Sequence, residues 1–365
     1  MKRILLASTA IVAFAGAASA DVTWSGDAFL EYNDNEEIDD ADGNPVDEDD
    51  LEWGLDLNVT LSEVLDNGLT ASASLEFDVV DETLGDEDSG LSDFVLSLTS
   101  ETAGLFFGDT GMAADSKWSA AGDMETDDFS ETDGEIVLRG EVGFGPAEVA
   151  ISYIADEQAD DGDYEFEQLS LGVEAEISGF TVIFAYQEEG PETLNGEQGG
   201  DYDPDEVYGL NVSTTFAGAD VAFAYSTNET EDEDSIGVEV AYPLNDAITL
   251  GGYYVIESDD DGDSYAVSLD YVSGPLSAAI AYEVEQDEEG FEINVDYEVL
   301  DGLLLFAGYA GEQDDDGFYV GGSYDLGAGA EVRLIYVEAD NFDEDNEYFG
   351  DDDELGTTLE LSFSF

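Results

Sequence analysis

Carboxylates dominate the chemistry open to this chain. Its 365 residues hold 94 Asp and Glu, five Lys and Arg, and no His or Cys. Without imidazole or thiol, His-based proton transfer and Cys nucleophiles are excluded. Adjacent acids occur along the whole chain, so no one pair stands out as an acid–base dyad. No glycine-rich phosphate loop is present either. Neither an enzyme nor a cofactor is expected. One acidic spacing does recur: Glu257-x-Asp259-x-Asp261-Gly262 returns as Glu285-x-Asp287-x-Glu289-Gly290 and as Glu312-x-Asp314-x-Asp316-Gly317. It partly resembles a calcium loop. Ser268 and Ser323, however, stand where a bidentate Glu would close the site. Weak calcium or magnesium association at acidic loops stays open, and diffuse counterions are the simpler reading.

The charge also bounds the setting. Residues 1–20 read as a secretory signal. Lys2 and Arg3 form its charged start, Ile4 to Phe14 its apolar run, and Ala18-Ser19-Ala20 its cleavage site. The remaining 21–365 then carry 94 acids against three bases, a formal net of −91. Self-repulsion on that scale destabilises compact states. Screening shortens from about 8 Å at physiological ionic strength to about 3 Å at 1 M salt, so a protein of concentrated salt, a halophilic one, is expected. With no basic patch, nucleic acid is not an expected partner.

The elements that carry these acids are strands. Leu51, Trp53, Leu55, Leu57, Val59 and Leu61 alternate with Glu52, Gly54, Asp56, Asn58 and Thr60. Phe291 to Val299 and Phe318 to Leu326 alternate in the same way. Such segments run about ten residues, the length that crosses a membrane tilted. Tight turns such as Ser178-Gly179, Ala217-Gly218 and Asp301-Gly302 alternate with longer acidic stretches such as Asn33 to Asp50 and Asp340 to Asp353. Tyr153, Tyr186, Tyr225, Tyr282, Tyr309 and Tyr336 recur near strand ends, where aromatic girdles sit. No apolar run is long enough for a membrane helix, so a membrane form must be a closed barrel. The pattern predicts an all-β, antiparallel up-and-down transmembrane barrel, and twenty segments can be counted. The final strand, ending in Leu361-Ser362-Phe363-Ser364-Phe365, resembles the closing strand of bacterial outer-membrane barrels.

A more specific likeness begins at Asp93 to Leu98. Leu105-Phe106-Phe107-Gly108-Asp109 follows, and then an irregular stretch to Gly134. With Gly68 to Phe77, Ser323 to Ala330 and the last strand, this resembles the Gram-negative general porins of the Rhodobacter type. The resemblance implies a homotrimeric outer-membrane channel whose third loop, here 109–134, folds inward and narrows the pore. The usual family barrel has sixteen strands, giving a range of 16 to 20. The usual cluster of basic side chains facing that loop is nearly absent here. The constriction residues implied are Asp109, Lys117, Asp123, Glu125, Asp127 and Asp128. Arg139 and Arg333 point inward by parity, as pore-lining groups or as salt-bridge partners of neighbouring acids. Phe365 is implied as a signal read by the outer-membrane assembly machinery. The expected function is passive diffusion of small hydrophilic solutes, with cations favoured by an acidic lumen. Outer-membrane lipid is the expected surrounding. The alternative is a secreted or surface-attached acidic adhesin or surface-layer protein without a channel.

Overall fold

Period-two alternation decides the fold, because successive side chains of a strand point to opposite faces. In the computed structural model Phe291, Ile293, Val295, Tyr297 and Val299 lie on one strand and are all exposed on its outer side. The structure describes residues 21–34, 38–39, 45–46, 50–81, 90–131, 135–157, 164–191, 202–258, 262–285, 288–312, 315–339 and 355–365. The expected signal at 1–20 and much of the acidic repeat lie outside them.

Twenty strands form one sheet. They are β1 (Asp21–Asp34), β2 (Asp50–Val64), β3 (Thr70–Asp81), β4 (Gly90–Thr99), β5 (Ala103–Asp109), β6 (Ile136–Phe144), β7 (Ala147–Glu157), β8 (Tyr164–Ile177), β9 (Phe180–Gln187) and β10 (Val207–Phe216). The sheet continues with β11 (Ala219–Asn228), β12 (Glu233–Asn245), β13 (Ile248–Glu257), β14 (Ser264–Ser273), β15 (Leu276–Glu285), β16 (Glu288–Leu300), β17 (Leu303–Glu312), β18 (Asp315–Gly327), β19 (Ala330–Ala339) and β20 (Gly356–Ser364). Each pairs antiparallel with its chain neighbours. β1 pairs with β2 on one side and β20 on the other, so the sheet closes on itself. Across the seam the Asn33 side-chain amide donates to Thr358 Oγ1 at 2.8 Å. The Phe365 N–H donates to Gly26 O at 2.9 Å. Closure leaves no sheet edge, which is what hydrocarbon requires of a spanning sheet. Twenty is the number the alternation predicts.

The turn chemistry explains one rim. Ser178-Gly179, Ala217-Gly218 and Ala328-Gly329 each place two successive residues at positive φ, the two-residue turn whose twist matches a hairpin. The opposite rim carries the longer connections. Not all of them are long there, since β11 joins β12 through residues 229–232 alone. Outward apolar side chains form the lipid face. Val59 departs from it: standing in register between Trp24 and Leu75, it is only 7% exposed. Small and polar inward side chains prepare the inner wall for what lies against it.

Candidate functional site

Residues 110–131 run inside the barrel. Gly108, at φ +127 and next to the last residue of β5, lies against Phe94 O, where no side chain fits. One helical turn follows, closed by Ser116 N–H to Met112 O at 3.0 Å and Trp118 N–H to Ala114 O at 2.9 Å. That turn leaves backbone donors facing the wall, and the wall supplies hydroxyls. Ala113 N–H donates to Ser152 Oγ at 2.8 Å, and Ala114 N–H to Ser170 Oγ at 2.7 Å. Further round, Asn211 Nδ2 donates to Ser119 O at 2.7 Å. Thr126 Oγ1 reaches Ser226 Oγ at 3.0 Å and Ser235 Oγ at 2.8 Å.

Close approach needs small wall residues. Gly172 backs Ala113 O and Lys117, Gly209 lies under the Trp118 ring, and Gly237 backs Ala121 O. A Cβ at any of the three would overlap the loop. Met112 packs on Val137 and Ile154, and Met124 packs on Ala224 and Val255. Phe129 packs on Ala185 and Val207 and tilts against Trp118, with ring centroids 5.5 Å apart. The far end is pinned at Ser130, whose N–H donates to Gln187 Oε1 at 2.7 Å. Ser130 Oγ also meets Gln168 Oε1 at 2.9 Å and Asp203 O at 2.8 Å. Gln168 points inward in step with Ser170 and Gly172, and it stands at a register shift of β8 with φ 40. The loop therefore lies along the inner wall from β6 to β13 and leaves the arc from β16 through β20 to β4 open.

This geometry separates the expected site residues. Lys117 is largely buried and bonds Glu148 at 2.7 Å. Arg139 donates to Gly111 O at 2.7 Å and sits 5.0 Å over the Phe106 ring. Asp127 accepts from Trp118 Nε1 at 2.7 Å. These three hold the loop. Burial pushes the Asp127 carboxyl up to about 7, the Trp118 hydrogen bond opposes this, and Asp128 and Asp123 add to it. Asp203 is pushed up to about 6, mainly by burial. Asp115 is also raised, by burial and then by Glu131, against the pull of Arg139. Asp123, Glu125 and Asp128 retain exposure at the loop's free edge. Asp123 shares a cluster with Glu283 and Glu285 whose carboxylate oxygens lie within 4.8 Å of one another. Arg333 stands on the open arc, 5.6 Å over the Phe306 ring and level with Glu360. Asp109 ends β5, opposite Ile136. Phe365 is exposed beyond β20 and stacks on Phe363. Sequence reasoning missed Ser152, Ser170, Gln168, Gln187, Asn211 and Ser235. Their signal is a band of small or neutral polar residues at matching heights on successive strands.

A model of the Gram-negative porin family matches residues 7–347. The chain belongs to that family. A porin resides in the bacterial outer membrane, and the family and fold are those of non-enzymatic channels, so the adhesin alternative is not favoured. Among solved structures, one mutant of the Rhodopseudomonas blastica porin is 13% identical, with 94% of this chain and 100% of that chain covered and a TM-score of 0.46. A triple mutant of the same porin is 15% identical over the same coverage, with a TM-score of 0.43. A further porin structure is 17% identical, again over 94% and 100%, at 0.42. No curated protein matches. The strand pairing itself carries the fold of this porin.

Proposed function

We propose that this porin passes small hydrophilic solutes passively and favours cations. The observation that supports the reading is how the three bases among the described residues are held. Lys117 is bonded to Glu148, Arg139 is fixed to the loop base, and Arg333 stands among acids. Inward acids meanwhile line the open arc: Glu31, Glu52, Asp56, Glu76, Glu292, Asp296 and Glu360. The negative lumen concentrates cations and repels anions. The docked loop, with Asp123, Glu125 and Asp128 at its free edge, forms the constriction. In this reading the porin is a homotrimer suited to concentrated salt, Phe365 is read by the assembly machinery, and acidic loops hold calcium or magnesium only weakly. Reversal potentials across a bilayer in a salt gradient test it. Cation preference at low salt is expected, and it should weaken as screening shortens. Anion preference, or none, at low salt overturns the reading.

A further inference from the structure

Beneath the docked loop the barrel keeps a cavity of about 480 Å³. It lies on the short-turn side, between Ser119 and Ala120 of the loop and the inner wall of β8 to β12. Its floor is one row of residues in register: Glu176, Thr181, Ser213, Ala222 and Glu239. Asp220 stands one row nearer the turns, opposite Ala241 and diagonal to Glu239. Two of these acids are oriented by the wall. Thr181 Oγ1 donates to Glu176 Oε1 at 2.7 Å, and Thr215 Oγ1 donates to Asp220 Oδ1 at 2.6 Å. Among the described residues no Lys or Arg lines the cavity. Beside the loop Asn211 is only 1% exposed. Its amide nitrogen turns to the loop carbonyls, Ser119 O at 2.7 Å and Ala120 O at 3.4 Å, and its own Oδ1 is left buried without a donor.

This wall offers acceptors in excess, so a ligand must bring donors. The acids do not converge on one ion. Neighbouring strands lie about 4.8 Å apart, which spreads Glu176 and Glu239 about 19 Å along the wall. Asp220 and Glu239, as diagonal neighbours, are about 7–8 Å apart. Around the charges the lining is apolar and mostly short, with Ile183, Ala222 and Ala241. A compact ion meets one carboxylate at a time here, and a neutral sugar leaves the three charges uncompensated. A chain of methylenes with ammonium groups at intervals meets the carboxylates in turn. Its apolar links then lie on the small residues between them.

We propose that this cavity binds linear polyamines, which plug the channel beneath its constriction. The proposal rests on the cation-favouring reading of the pore and names a ligand class for it. Full-length channels, wild type and the combined E176Q, D220N and E239Q variant, would be reconstituted in bilayers at low salt. Single-channel current is followed as spermidine is added, and separately as the compact, equally charged hexaamminecobalt(III) ion is added. Spermidine should block wild type at a severalfold lower concentration than the cobalt complex. The variant should need about tenfold more spermidine, the size expected of three exposed ion pairs lost together, while its response to the cobalt complex changes less. Equal block of wild type by the two cations overturns the proposal, in favour of diffuse charge. An unchanged half-blocking concentration of spermidine in the variant overturns it as well. If the variant does not fold, the comparison of the two cations on wild type decides alone. Reversal potentials of the same wild-type channels report selectivity separately. A cation-selective channel that spermidine leaves open sinks the site alone, whereas an unselective channel sinks the reading beneath it.

Discussion

The inner wall is two surfaces. Under the loop, β7 to β12 present Ser152, Ser170, Gly172, Ala185, Gly209, Asn211, Ser226, Ser235 and Gly237, all short and mostly neutral. On the open arc the same inward rows present Glu292, Asp296, Glu360, Glu31, Glu52 and Asp56. The difference follows from water. A carboxylate facing the lumen stays hydrated, whereas one trapped beneath a backbone would be desolvated at high cost. The loop therefore docks mainly through neutral hydrogen bonds and glycine contacts, with Glu148 bonded to Lys117, Arg139 bonded to Gly111 O and Glu257 accepting from the Glu125 N–H as the charged contacts, and most of the carboxylates are kept where ions pass.

The largest blow to this division should come from filling a contact glycine. Gly237→Val would drive a side chain into Ala121 O. Overpacking of this kind costs about 1–3 kcal/mol, here taken from docking, so single-channel conductance should rise and larger sugars should pass. Ser74→Val on the open arc should do neither; equal effects would erase the distinction between the surfaces. Next comes the hydroxyl ladder. Ser152→Ala with Ser170→Ala leaves the N–H groups of Ala113 and Ala114 buried without acceptors. Each such group costs about 1–3 kcal/mol. Conductance traces should become noisy and the loop protease-sensitive, while ion selectivity changes little.

The converse substitutions sharpen the contrast. Glu292→Gln with Asp296→Asn should lower the cation-to-anion permeability ratio severalfold at low salt and leave protease resistance of the loop intact. Raising salt from about 10 mM to 1 M shortens the Debye length from about 30 to 3 Å and should mimic that loss of selectivity without undocking the loop. The smallest effect is in pH. Asp127 and Asp203 titrate above their ordinary value of 3.8, at about 7 and about 6. A raised carboxyl binds its proton more tightly when the loop is docked. Docking is therefore favoured at low pH, weakens as pH climbs from about 4 to 7, and is flat above. Protease sensitivity followed from pH 4 to 8 should show that slope, and Asp127→Asn should flatten most of it. A slope that survives Asp127→Asn would assign the titration elsewhere.

Much of this was legible in the residues. Alternation places Phe291 to Val299 toward lipid, glycine-bearing turns mark one rim, and the count of twenty follows from both. The stretch that follows Asp109 was legible as irregular, and its described part, 110–131, runs inside the barrel. Its dock was not. Ser152, Ser170 and Asn211 read as ordinary lumen polars until six or more strands are set in register, which no local pattern supplies. Gln168 shares the parity of the inward Ser170 and Gly172, but a register shift beside it breaks the alternation toward Phe166. Lys117 reads as a pore base because sequence gives its charge and not its bond to Glu148.

The seam has a consequence for how the molecule is made. β1 meets β20 through eight residue pairs, Asp27–Ser364 to Asp34–Thr357, between the two ends of the chain. Hairpins can zip in order as each strand arrives, but the seam must wait for the last one. Until then the sheet presents two bare edges, the feature that invites pairing between chains. Closure removes both edges in one event. The exposed species is thus the sheet that still lacks β20, and its lifetime is set by how fast that last strand, Gly356–Ser364, is captured.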